Sequence, residues 1–242
     1  MTVVLNEKIL GKQPYESIVN QRVIEKFEEH ITQKINRYRG YSVDELCNEL
    51  NVSSKPKNIA SLLGFRILGI TKNQSEEFAK GNIIVKAIRI SKNNTIKESM
   101  SFPTFKFKEL VNEEWEDSTF GNYLYETRFF FVIYKEDSNG VLRLRGCQFW
   151  NAPFSDIENE VGEMWERTVG LLKDGIQIWK DDKGRNHSNL PQKKENRISH
   201  VRPHGRDSND TDELPDGRKY PKQCFWLNNT YILSQLNEEF KK

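Results

Sequence analysis

Two groups of residues in this 242-residue chain have types and spacings that could do chemistry. In ISHVRPHGRDS, Ile198 to Ser208, two arginines, two histidines and a proline fall within eleven residues. Arginine's planar fork is the side chain best shaped to grip guanine O6 and N7 in a DNA major groove through two parallel hydrogen bonds. Pro203 stiffens the chain beside Arg202, which lowers the entropy lost on docking, and His204 can donate to a base edge or a phosphate. Lys193, Lys194, Arg197, Arg206, Arg218, Lys219 and Lys222 are close in sequence and can neutralise phosphates. Trp226 is the aromatic expected to touch DNA. The same composition also fits a solvated loop of mixed charge. A zinc site built from His200 and His204 with His187 or Cys224 lacks a fourth ligand at any recognisable spacing.

The second group lies in GNIIVKAIRI, Gly81 to Ile90. Many metal-dependent nucleases place an acid before a strand, then an acid and a lysine two residues apart on it, because side chains at i and i+2 share a face. The carboxylates hold Mg²⁺, which polarises the scissile phosphate and helps generate hydroxide, while the lysine stabilises developing charge. Here Lys86 is present and Glu77 precedes the strand, but Ile84 stands where the second acid belongs, and a hydrocarbon cannot ligate Mg²⁺. Lys86 also fits a structural role on an apolar strand. A nuclease reading needs its second acid from elsewhere, such as Glu98, Glu113 or Glu114.

Charge and composition confine any such site to a local patch. Thirty-seven Lys and Arg against thirty-five Asp and Glu give +2, so no whole-molecule field drives the chain onto nucleic acid or an anionic membrane. No apolar run approaches the roughly 18 residues of a membrane span, and Met1 to Leu10 lacks the blocks of a signal peptide. The expectation is a cytoplasmic protein with no membrane partner. Cys47, Cys147 and Cys224 are far apart and without CxxC spacing, as core thiols would be.

The elements that must hold these residues follow from pattern. A helix is expected from Pro14 through Ile18, Val19, Val23, Ile24, Phe27 and Ile31. A second is expected from the capping box Ser42-Val43-Asp44-Glu45, and a buried helical segment over Ile59 to Ile70. Gly81 to Ile90 reads as a core strand. Phe129 to Tyr134 and Val141 to Phe149 read as a hairpin turned by Asp137-Ser138-Asn139-Gly140. A helix follows from Ser155, with Gly175 placed to stop it. Asp181 to Lys222 is polar, either functional or disordered. Cys224 to Leu227 is expected as a strand, and Tyr231 to Phe240 as a final helix capped by Asn228 or Asn229. Trp115, Trp150, Trp165 and Trp179 read as core or rim packing. The order predicts a mixed α/β chain, a central mixed sheet flanked by helices. It would form one domain over 1–242, with a helical lobe to about residue 75 and a sheet and recognition-loop lobe from about 76.

HVRPH, followed about twenty residues on by FWLNNTY and a terminal helix, resembles the end of the MutH family, in which an arginine-proline loop and a strand aromatic read GATC. IKESMSF-TFKF-EL-NEEWEDS and LYETRFFFVIYKED are still more similar to the C-terminal half of Sau-three-A type restriction endonucleases, two-domain enzymes that cut GATC. In those enzymes both halves resemble MutH, and the C-terminal half has lost the nuclease acids. The resemblance runs from about Tyr15 to the end. It implies a restriction-endonuclease-like MutH fold, and a reading loop at Arg202 and Pro203. His204 stands where MutH has lysine, and Trp226 where it has tyrosine. Glu77, Ile84 and Lys86 take the places of the metal-binding aspartate, the essential glutamate and the lysine. The implied partners are double-stranded DNA and a nuclease half of the same restriction system, assisted allosterically. No cofactor is expected for such a domain, and Mg²⁺ only if the chain is itself an active type II endonuclease. The chain could be complete or the end of a larger enzyme.

Overall fold

The computed structural model describes residues 27–241 except Asn73; of the helix expected from Pro14 through Ile31, the part before Phe27 lies outside them, and Phe27 and Ile31 are helical. In chain order, helices α1 (Phe27–Asn36), α2 (Val43–Glu49), α3 (Ile59–Ile67) and α4 (Glu76–Lys80) precede strands β1 (Ile83–Ile90) and β2 (Met100–Thr104). Helices α5 (Phe107–Leu110) and α6 (Thr119–Glu126) lead to β3 (Arg128–Glu136) and β4 (Leu142–Trp150), then to α7 (Gly162–Asp174). Six short strands follow: β5 (Ile178–Lys180), β6 (Asn186–Ser188), β7 (Ser199–Pro203), β8 (Thr211–Glu213), β9 (Lys219–Pro221) and β10 (Gln223–Leu227). Helices α8 (Asn229–Gln235) and α9 (Glu238–Lys241) close the described chain. The class is mixed α/β, as expected. The described residues divide into two compact units, one of those up to 97 with 127–151 and those from 236 on, the other of 98–126 and 152–235.

The first unit is built on a mixed sheet in the order β1-β3-β4, parallel between β1 and β3 and antiparallel between β3 and β4. Strand alternation sends Ile83, Val85 and Ala87 of β1 to the same side as Phe130, Val132 and Tyr134 of β3. There they meet Ile31, Ile35, Leu46, Leu63 and Phe78 from the four helices in one apolar core. Tyr134 is wholly buried and its hydroxyl donates to the Ala60 carbonyl at 2.9 Å, as a buried phenol must. The hairpin turn is the expected one: Asp137 Oδ1 accepts from the Asn139 and Val141 N–H groups, each at 2.9 Å, and Gly140 takes φ +79°. The expected capping box is also formed, with Glu45 N–H donating to Ser42 Oγ at 3.1 Å and Ser42 N–H donating to Glu45 Oε2 at 2.6 Å. Ser42→Ala is therefore expected to lower the unfolding free energy in urea by about 1 kcal/mol.

The second unit carries a separate antiparallel sheet in the order β2-β10-β7. The strand expected over Cys224 to Leu227 forms as β10, whereas the segment around Arg202 is an edge strand rather than the expected loop. Its last residue, Pro203, is tolerated because an edge strand has one ladder only. On one face of β10, Phe225 is stacked on Phe120 with ring centroids 4.4 Å apart and lies 4.8 Å from Phe105. The polar stretch after Asp181 is ordered by the pairs β5-β6 and β8-β9. Gly175, at φ +89°, ends α7 as expected. The helix expected over Tyr231 to Phe240 is two helices instead, and at the break the Asn237 N–H donates to Gln148 Oε1 at 2.9 Å. All three cysteines are buried thiols outside any disulfide.

Candidate nucleic-acid interface

Strand β10 is central in its sheet, and β7 pairs with it so that His200 lies opposite Trp226 and Arg202 opposite Cys224. Directly opposed residues share a face, so His200, Arg202, Cys224 and Trp226 stand together, on the side away from Val201 and Phe225. Arg202 is exposed, and its guanidinium carbon lies 5.4 Å from the centroid of the half-buried Trp226 ring, within cation–π range. His204 meets the same ring edge-on at 5.2 Å, and His200 lies nearly parallel to it at 6.2 Å. The Trp226 indole N–H donates to the Arg202 carbonyl at 3.3 Å, which ties the aromatic to the strand it serves. Arg202, His204 and Trp226, with His200 beside them, are thus one cluster, while Pro203 alternates to the other face of β7.

The other expected contacts sort by what they are already bound to. Asp210 organises the turn after β7: its carboxylate accepts from the Arg206 N–H at 2.9 Å and pairs with Lys222 Nζ at 2.6 Å, while the Lys222 carbonyl accepts from the His204 N–H at 2.9 Å. The Arg206 N–H, then Lys222, hold the Asp210 carboxyl below the usual range. The charge of Lys222 supports the loop, whereas the exposed Arg206 side chain reaches only Asp207, at 3.5 Å. A Cβ at Gly205 would sit 3.0 Å from the Asp210 carbonyl oxygen, so the turn has no room for a larger residue. Arg197 is bound to Glu160, and Arg218 to Asp216 and the Ile176 carbonyl. Lys193 donates to Asn229 Oδ1. Lys194 and Lys219 are exposed, and like Arg202 they form no salt bridge among the described residues.

His200 is only 4 % exposed, and its Nδ1 lies 2.6 Å from Asn228 Oδ1. Burial, ahead of every other cause, pushes its pKa below 6.5. The unfolded chain therefore binds this proton more tightly than the folded one. The stability contributed by neutral His200 is complete above about pH 6.5 and is lost as the pH falls towards the folded value. Thermal-unfolding midpoints should decline as the pH falls below about 6.5, and the decline should flatten in His200→Phe.

Metal chemistry finds no support from these residues. His187 is bound to Asp181 at 3.2 Å and stacked on the exposed Trp179, and Cys224 is buried. No group of three or more His, Cys, Asp or Glu among the described residues could hold a metal ion. Glu77 lies on α4, while Ile84 and Lys86 share a face of β1 beside Phe129 and Phe131 of β3. Hydrocarbon and rings at that position do not fit Mg²⁺. Of the acids named as substitutes for the one absent at Ile84, Glu113 accepts from the Thr119 N–H and Oγ1 at 3.0 and 2.7 Å, and Glu98 and Glu114 are exposed.

Sequence reasoning missed Asn228 as more than a cap, and Asp210 as the anchor of the turn. The alternation His200-x-Arg202 facing Cys224-x-Trp226 is the one pattern that could have revealed the shared face.

No family model matches the chain. The type II restriction enzyme Sau3AI of Staphylococcus aureus is 35 % identical over 280 aligned residues, which take in 98 % of this chain and 57 % of the relative. The chain thus spans a little over half the length of that enzyme. That identity along nearly the whole chain makes it similar to the Sau3AI-type restriction endonucleases and supports a place in their family.

Proposed function

We propose that this chain is a single MutH-like domain that reads a GATC-type site on double-stranded DNA without cutting it, as the non-catalytic part of a type II restriction system in the cytoplasm. The observation that carries the reading is an exposed arginine, Arg202, laid on Trp226 with no acidic partner among the described residues, in a chain whose metal-ligand position is Ile84. A bidentate arginine–guanine pair discriminates against the wrong base by about 1–3 kcal/mol. Holding the long side chain on an aromatic beforehand reduces the rotamer entropy lost on binding. Lys194, Lys219 and Arg206 supply phosphate contacts, each adding close to one unit to the salt dependence. No described helix is long and apolar enough to cross a membrane, in keeping with a partner that is DNA. A nuclease half would gain from this domain if its cutting state binds DNA more tightly, since occupancy here then shifts the equilibrium towards that state.

The test is titration of the chain with a GATC duplex and a scrambled duplex at rising salt, beside incubation of a GATC plasmid with Mg²⁺. Preference for the first duplex and an intact plasmid support the proposal. Equal affinity for both duplexes removes the specificity. Nicking that disappears in Lys86→Ala would establish the other reading, an active Mg²⁺-dependent endonuclease.

A further inference from the structure

Beside Arg202 and Trp226 lies a buried polar contact that base recognition does not by itself require. Asn228 is 2 % exposed, and its amide is fully engaged. Its Nδ2 donates to the carbonyls of Asn196 at 2.8 Å and Arg197 at 2.9 Å, which fixes the orientation of the amide. Oδ1 is then the acceptor facing His200 Nδ1 at 2.6 Å, so His200 carries its proton on Nδ1. The backbone holds Asn228 just as firmly: its N–H donates to the Ile198 carbonyl at 2.7 Å, and its carbonyl accepts from the Ile232 N–H at 2.9 Å. The ring fixed in this way lies parallel to Trp226, the ring that carries Arg202.

We propose that Asn228 and His200 form a positioning device for base reading, in which the Nδ1–H bond sets the plane of the imidazole, the imidazole sets the plane of Trp226, and Trp226 places Arg202. Neither residue touches DNA. The inference rests on the reading of Arg202 as the base-contacting group. Its physical content is preorganisation. A half-buried indole and a long guanidinium left free to rotate must be immobilised when DNA binds, and restricting two such side chains beforehand is worth about tenfold in affinity. That gain is confined to the complex in which Arg202 must be placed. Non-specific binding, which needs only charge near phosphates, does not draw on it.

The experiment compares the wild-type chain with His200→Phe, which keeps an aromatic ring but removes the Nδ1–H, and with Asn228→Ala. Thermal unfolding confirms that each variant is folded. Two quantities are read: hydrogen exchange of the Trp226 indole N–H, assigned by its loss in Trp226→Phe, and the ratio of affinities for GATC and scrambled duplexes at one salt concentration. The expected result is exchange at least about tenfold faster and a ratio about tenfold lower in His200→Phe, with scrambled-duplex affinity unchanged. Unchanged exchange, or faster exchange with an unchanged ratio, overturns the positioning role while leaving the DNA-reading proposal standing. A wild-type chain with no preference between the duplexes defeats that proposal itself, and the role assigned to the pair falls with it.

Discussion

Replacing Arg202 with alanine is expected to weaken binding of a GATC duplex by about tenfold to a hundredfold at fixed salt, while scrambled-duplex affinity falls far less. The magnitude follows from the contact. A guanidinium that gives two hydrogen bonds to guanine O6 and N7 is worth about 1–3 kcal/mol of discrimination, and the alanine leaves those acceptors without partners. The slope of affinity against salt should hardly change, because a side chain on a base edge releases few counterions. Arg202→Lys should be nearly as poor a discriminator: it keeps the charge but loses the planar fork and the stacked geometry over Trp226. Lys194→Ala should behave in the opposite manner, lowering affinity for both duplexes alike and reducing the salt slope by about one.

Phe225→Ala is expected to cost about 3–5 kcal/mol of unfolding free energy, read as a lower urea midpoint. Phe225 is 2 % exposed and packs against Phe120 and Phe105 on the face of β10 opposite Trp226. It also lines a partly open pocket with Phe102, Phe105, Phe120 and Tyr123, so truncation widens a hollow that is already there. Because folded domains are stable by only about 5–15 kcal/mol, a loss of this size melts much of the sheet that carries the reader. Both duplexes should then lose affinity together as temperature rises. That joint loss separates a damaged scaffold from the selective effect of Arg202→Ala.

Elements whose information is local were legible in the sequence. The β3-β4 hairpin announces itself through two apolar runs around Asp137-Ser138-Asn139-Gly140, helix α2 through the Ser42 to Glu45 box, and the end of α7 through Gly175. Strand β7 did not. Its buried residues are Ser199, His200 and Val201, of which Val201 alone is apolar, and Arg202 is exposed, so it has the composition of a loop. Strand β2 was hidden for a related reason: it pairs with β10 across more than a hundred residues, and such pairing leaves no local trace. Arginine's chemistry draws attention to Arg202 and the strand pattern to Ile84, and the fold sets Arg202 over Trp226. What composition hides is which charges are already bound. The Lys222–Asp210 and Arg197–Glu160 pairs and the Asn228–His200 contact each join residues brought together only by folding.

The central claim is that the Arg202 guanidinium touches guanine N7. The direct measurement is a cycle in which wild-type chain and Arg202→Ala are each titrated with a GATC duplex and with the same duplex carrying 7-deazaguanine in the site. Wild type should lose about tenfold in affinity on the modified duplex, and Arg202→Ala should bind both duplexes equally. An equal loss in the two proteins would show that the guanine N7 is read by another group, or by none, and would contradict the account.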